Sequence, residues 1–119
     1  MTKDELDMVS FGIIADAGDG KSYAFDALNA ARKGDFGGGE ALLAKARTAI
    51  EKGRRAQTDL LFAEMNGEHH DVNVLLVHSQ DHLMDAMQTM DLVTELVTQI
   101  KEQKKLEKRI EELERRVDK

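Results

Sequence analysis

The chain contains no cysteine, no proline and no tryptophan. Without cysteine it can form no disulfide, use no thiolate nucleophile and offer no thiolate to a metal. Without proline, the strongest helix breaker is missing from all 119 residues. Aromatic residues are scarce, at 4%. No apolar run is longer than Val74 to Val77, far short of the roughly 20 residues that span a bilayer. The first residues, Met1-Thr2-Lys3-Asp4-Glu5-Leu6, are charged and lack the apolar core of a secretion signal. Basic charge is not in excess either: the formal net charge is −6, which argues against general nucleic-acid binding. The expectation is a small, acidic protein of one domain, in the cytoplasm.

What the chain does have is alanine, leucine, isoleucine, valine and methionine, the residues of close-packed helices. Apolar positions recur three or four apart in three segments. The first runs from about Thr2 to Lys33, with Leu6, Val9, Ile13, Ile14, Ala17, Ala24, Phe25, Leu28 and Ala31 on its apolar side. Thr2 and Glu5 have the spacing of a capping box. Gly12, Gly18 and Gly20 weaken this helix and let another backbone come close. Gly34 suits a helix end and Asp35 can cap the second helix, whose first turn should fray at Gly37-Gly38-Gly39. That helix ends near Asn66-Gly67. The third begins near Asp71 or Asn73 and continues toward Lys119.

So few large side chains make a thin core, so an oligomer is expected. Beyond Lys101 the composition turns to Lys, Glu and Arg, while Leu106, Ile110, Leu113 and Val117 continue in alternate steps of four and three. This is a coiled-coil seam, with those residues at d, a, d and a. On a parallel neighbour Arg109 would meet Glu114, whereas Glu102 would meet Glu107, a like pair. Disorder is the rival reading of this tail. The expected division is a three-helix domain over 1–104 and a charged helical extension over 105–119.

The informative stretch is Leu75-Leu76-Val77-His78-Ser79-Gln80-Asp81-His82-Leu83-Met84. On a helix, His78, Asp81 and His82 share a face. Three polar groups interrupting an apolar segment are costly to bury unless they are partnered. Residue types leave three readings open. The group is a solvated polar patch, or the two histidines chelate zinc, or one histidine is a nucleophile. Ser79 stands where a zinc peptidase motif needs Glu. A second feature, Ala17-Gly18-Asp19-Gly20-Lys21-Ser22, has the end of a phosphate-binding loop but Ala15 where that loop needs its first Gly, and it lies in a helical segment.

Taken together, these segments resemble the lactose/cellobiose-specific enzyme IIA family of the bacterial sugar phosphotransferase system. The resemblance runs in order through Phe11-Gly12-Ile13-Ile14, Ala17-Gly18-Asp19, Ala27-Leu28, Gly34-Asp35-Phe36, Gln57-Thr58-Asp59-Leu60-Leu61, Glu64, Gly67 and the signature His78 to Met84. It implies an all-α fold, an antiparallel three-helix bundle per subunit that assembles as a homotrimer. It implies that His78 accepts phosphate from the phosphocarrier HPr and passes it to a cysteine of enzyme IIB. The IIC permease then phosphorylates a disaccharide of lactose, cellobiose or chitobiose type. Asp81 falls where the family gathers one carboxylate per subunit around a Mg²⁺ on the trimer axis. Such a ring needs a divalent cation or shared protons, since two carboxylates 4 Å apart repel by about 4 kcal/mol at an effective dielectric near 20.

His82 and Gln57 are then expected to hold phosphoryl oxygens or orient the ring of His78. Their plainer roles are a helix-surface histidine and an interhelical hydrogen bond. The chain departs from the pattern at Arg54, where many members have His, and in its charged tail. Arg54 either contacts phosphate or lies on a solvated face. The competing function is a non-catalytic helical adaptor that oligomerises through the tail.

Overall fold

The computed structural model describes residues 1–118 and consists of three helices joined by two turns. They are α1 (Lys3–Arg32), α2 (Phe36–Met65) and α3 (Val74–Val117). Each starts at the residue whose side chain can satisfy a free backbone donor. Thr2 accepts from the Glu5 amide at 3.1 Å, Asp35 from Gly38 at 2.9 Å and Asn73 from Leu76 at 2.8 Å. The first two helices end alike. Gly34 and Gly67 take positive φ (86° and 90°), which lets the following amides of Asp35 and Glu68 reach back to the carbonyls of Ala30 and Ala63. A glycine in that left-handed position is the common helix stop.

The short turns make successive helices antiparallel, as expected for the three-helix bundle. Helix α1 lies between the other two, and α2 and α3 touch each other far less than either touches α1. Its buried stripe is mostly small: Ser10, Ala17, Gly20, Ala24, Ala27 and Ala31 beside Leu6 and Ile13. Leu43, Ala46 and Ile50 meet it from α2, and Leu83, Ala86, Met90, Val93 and Val97 belong to the same core from α3. Small residues let the helix axes approach toward the 8 Å end of the usual range. No helix among the described residues is long and apolar enough to cross a membrane.

The glycines behave differently from the sequence expectation. The run at 37–39 does not fray; α2 is regular from Phe36. Gly39 is buried in the crossing with α1, where an added Cβ would stand 3.3 Å from the Ala27 carbonyl oxygen. Of the three glycines in α1, only Gly20 meets a second backbone closely, at the Ala46 carbonyl oxygen; Gly12 and Gly18 face solvent.

Helix α3 carries two apolar faces. One faces the bundle. The other bears Val74, Val77, Met84, Leu92, Leu96, Leu106, Ile110, Leu113 and Val117, all exposed. The helix runs unbroken through Lys104 and Lys105, where the composition changes. The last link between α3 and the rest is at Lys101, whose ammonium reaches Glu40 at 3.5 Å and lies over the Phe36 ring. Beyond it about 24 Å of helix projects, which gives the chain its 75 × 20 × 20 Å shape.

Candidate functional site

Five residues after its cap, α3 presents His78 to solvent. The following residue, Ser79, is fully buried against the bundle, and its hydroxyl donates to the Leu76 carbonyl at 2.6 Å. A small, internally satisfied residue here lets α3 pack tightly while the residue before it points outward. One turn on, His82 meets His78 edge to face, with ring centroids 4.4 Å apart and planes at 88°. Their Nε2 atoms lie 3.1 Å apart, hydrogen-bonding distance. One nitrogen of this pair must carry the proton and the other the lone pair. The two nitrogens are close enough for a hydrogen bond between the rings. Among the described residues no cluster of three or more His, Asp or Glu could hold a metal ion.

His78 opens onto a groove of about 420 Å³ lined also by Val72, Asn73, Val74, Val77 and Asp81. The groove lies toward the N-terminal end of α3, the direction in which helical side chains lean. That end carries the positive pole of the helix dipole, which favours an anion within the first turn or so. The groove's floor is held by an interhelical chain of contacts that sequence reading missed. Asn73, while capping α3, donates through Nδ2 to Asp7 on α1 at 3.3 Å, and Asp7 accepts from Lys3 at 3.0 Å. The Lys3 ammonium foremost, with the Asn73 amide, holds the Asp7 carboxyl below its usual range. A second tie below the site, Lys21 to Asp85 at 2.6 Å, also joins α1 to α3. Lys21 belongs to the glycine-lysine-serine segment, which is helical and so cannot form a phosphate-binding loop.

The other sequence-singled residues stand apart. Asp81 is exposed, on the outer apolar stripe of α3, and joins no ion pair among the described residues. Gln57 sits on α2, hydrogen-bonds neither histidine, and leaves its Oε1 buried without a partner. Arg54 lies on a solvated face, donating twice to Glu51 at 2.8 Å. That pairing drives Glu51 below and Arg54 above their ordinary ranges.

Comparison with known proteins gives this geometry a context. The sequence pattern of the family described as "PTS system, Lactose/Cellobiose specific IIA subunit" matches residues 8–101. The lactose-specific EIIA component of Staphylococcus epidermidis is 39% identical over 93 residues, 78% of this chain and 89% of its own length. The crystal structure of the cellobiose-specific enzyme IIA from Bacillus anthracis superposes with a TM-score of 0.82 at 33% identity, covering 87% of this chain and 94% of that one. The chitobiose IIA of Escherichia coli, solved in solution in complex with HPr, gives a TM-score of 0.73 at 33% identity over 83% of this chain and 96% of its own. The pattern match takes in α1 from Met8 on, α2 and the bundle part of α3, and ends where α3 leaves the bundle. The chain therefore belongs to the lactose/cellobiose-specific IIA family of the sugar phosphotransferase system, as one of its sugar-specific EIIA components.

Proposed function

We propose that this chain is a cytoplasmic phosphocarrier whose His78 takes a phosphoryl group from HPr and passes it to a cysteine of an enzyme IIB partner, for uptake of a disaccharide of lactose, cellobiose or chitobiose type. The observation that carries this reading is the exposed His78 ring beside an open groove, its Nε2 3.1 Å from His82 Nε2. The EIIA–HPr complex of a structural relative supports HPr as the donor.

The chemistry asks for the tautomer in which His82 Nε2–H donates and His78 Nε2 keeps its lone pair. That lone pair attacks phosphorus in line. The His78 N–P bond forms as the bond to the donor's leaving atom breaks, and the leaving atom keeps the electron pair. The proton on His78 Nδ1 stays in place. The His82 N–H, released from the ring nitrogen it had faced, donates to a phosphoryl oxygen, a charge-assisted bond stronger than the neutral one it replaces. The reverse displacement, by a thiolate, discharges the ring. Gln57 is the remaining donor proposed to meet the phosphoryl group.

The outer stripe of α3 supports a homotrimer around that helix, with Asp81 near the axis. Three carboxylates from three copies form an oxygen-only donor set, which suits a hard ion such as Mg²⁺. The exposed, unpaired Asp81 fits that role, and the ion's part is structural: it neutralises the ring.

The test is incubation with HPr, its upstream kinase and phosphoenolpyruvate, followed by mass-spectrometric mapping. A single phosphoryl group on His78, lost in His78→Ala, is the expected result. Undiminished labelling of His78→Ala refutes the assignment.

A further inference from the structure

The outer stripe of α3 does not stop where the family match stops. Val77, Asp81, Met84, Gln88, Leu92, Leu96, Gln99, Gln103, Leu106, Ile110, Leu113 and Val117 follow one another in steps of three or four along one helix. At about 100° per residue all lie within roughly 60° of a line down that helix. This line is opposite the face of Ser79, Leu83, Ala86, Met90, Val93 and Val97, which is buried in the bundle. In the projecting part the stripe has nothing to rest on: Leu106, Ile110 and Leu113 are 61%, 53% and 55% exposed. A solvated helix of this length gains little from its own backbone, so the apolar line needs a partner.

The charges beside the stripe say which partner and which way round. With Ile110 and Val117 at a and Leu106 and Leu113 at d, the e positions are Glu107 and Glu114 and two of the g positions are Arg109 and Arg116. Parallel strands set g against e of the neighbour, so Arg109 meets Glu114. Antiparallel strands set e against e and g against g, which here puts Glu107 against Glu114 and Arg109 against Arg109, with Glu102 opposite Arg116 as the one favourable kind of pair. Glu102 against Glu107 is the single like pair in the parallel arrangement. A second copy of this chain, in parallel, therefore satisfies the apolar pattern with its charged pairs evenly balanced, where antiparallel strands set a majority of like charges together.

We propose that residues 102–117 form a parallel coiled coil among copies of this chain, continuing the seam of the bundle and adding an oligomer clamp beyond the family domain. The number of strands, three, rests on the trimer reading above; the parallel orientation rests on the tail's own residues. Isoleucine and valine at a with leucine at d favour two strands when alone, but two heptads are too short to choose, and the bundles already hold their third helices together. The glutamine layers at 99 and 103 fix the register between bundle and tail.

The absence of native cysteine makes the test clean. Val117→Cys in the full chain, treated with a short bis-maleimide, should give linked pairs at low protein concentration; antiparallel tails would hold these positions about 22 Å apart and give none. Leu106→Asp/Ile110→Asp touches only the projecting helix, so the bundle still folds. In sedimentation its dissociation should move to higher protein concentration by roughly ten- to a hundredfold per lost layer. Labelling of His78 by phospho-HPr should survive, which separates this proposal from the phosphocarrier reading. An unchanged dissociation with a trimeric parent overturns the clamp and leaves the trimer standing. A parent that sediments as a monomer or a dimer, or an absence of linked pairs, overturns the proposal as well.

Discussion

His82 is the residue whose contribution can be separated from that of His78. It is one turn away, touches the proposed nucleophile through a single hydrogen bond, and forms no part of the buried core. A hydrogen bond to a charged group is worth about 1.5–3 kcal/mol, so His82→Ala should slow phosphoryl transfer from phospho-HPr by about ten- to a hundredfold. Labelling itself should persist on His78. Quench-flow measurement with wild type and variant checks this, and an unchanged rate would reduce His82 to a surface residue. Asp7 offers a second residue-scale test, of pH dependence. Its carboxyl is held below the usual range, first by Lys3 and then by Asn73. A group with a depressed folded pKa stabilises the protein above its unfolded value, 3.8 as a reference, and loses that contribution as pH falls through the lowered folded value. Urea midpoints of wild type and Asp7→Asn at equal protein concentration should therefore differ at pH 7 and converge toward pH 2. A gap that stays constant over that range would remove Asp7 from the acid limb.

The elements invite a contrast between neighbouring glycines. Gly37 is exposed and helical, and a Cβ there meets nothing within 4 Å, whereas Gly39 faces the Ala27 carbonyl. Gly37→Ala should stabilise by about 0.5–1 kcal/mol, the usual helix-interior difference. Gly39→Val should destabilise by about 1–3 kcal/mol through overpacking. Thermal melts at matched concentration decide, and equal effects at both positions would contradict the packed crossing. The same pair shows where sequence reading stops. Helix boundaries were legible because caps are local: Thr2 with Glu5, Gly34 with Asp35 and the Asn66-Gly67 turn all stand where the chain turns. The His78, Asp81 and His82 face was legible because helical spacing alone places it. The role of three consecutive glycines was not, since a fraying helix start and a close crossing look alike until the second helix is placed. Nor were the Asn73–Asp7 and Lys21–Asp85 ties, whose partners are 66 and 64 residues apart. Apolar spacing alone does not separate Leu83 and Val93, which are buried, from Met84 and Leu92, which are exposed. A helix with two apolar faces has the same spacing of apolar residues as one with a single wide face, and only packing distinguishes them.

For the whole molecule, the deciding quantity is the balance along the outer stripe of α3. Each apolar side chain buried there on assembly contributes about 1.5–3 kcal/mol. Asp81 sits among them, between Val77 and Met84, both exposed in the single chain. Three ionised copies near one axis would add three repulsions of about 4 kcal/mol each at 4 Å and an effective dielectric near 20. That sum is comparable with the gain from several apolar layers, so the proposed trimer depends on a neutralising ion. Removing divalent ions with a chelator should lower the wild-type melting midpoint, and excess Mg²⁺ should restore it. Asp81→Leu exchanges the charged layer for an apolar one. It should keep the same sedimentation mass, melt higher than wild type in chelator, and no longer respond to Mg²⁺. If the variant responds to chelator as wild type does, the ion is bound elsewhere. If neither responds, the carboxylates do not converge, and the axis does not run beside Asp81.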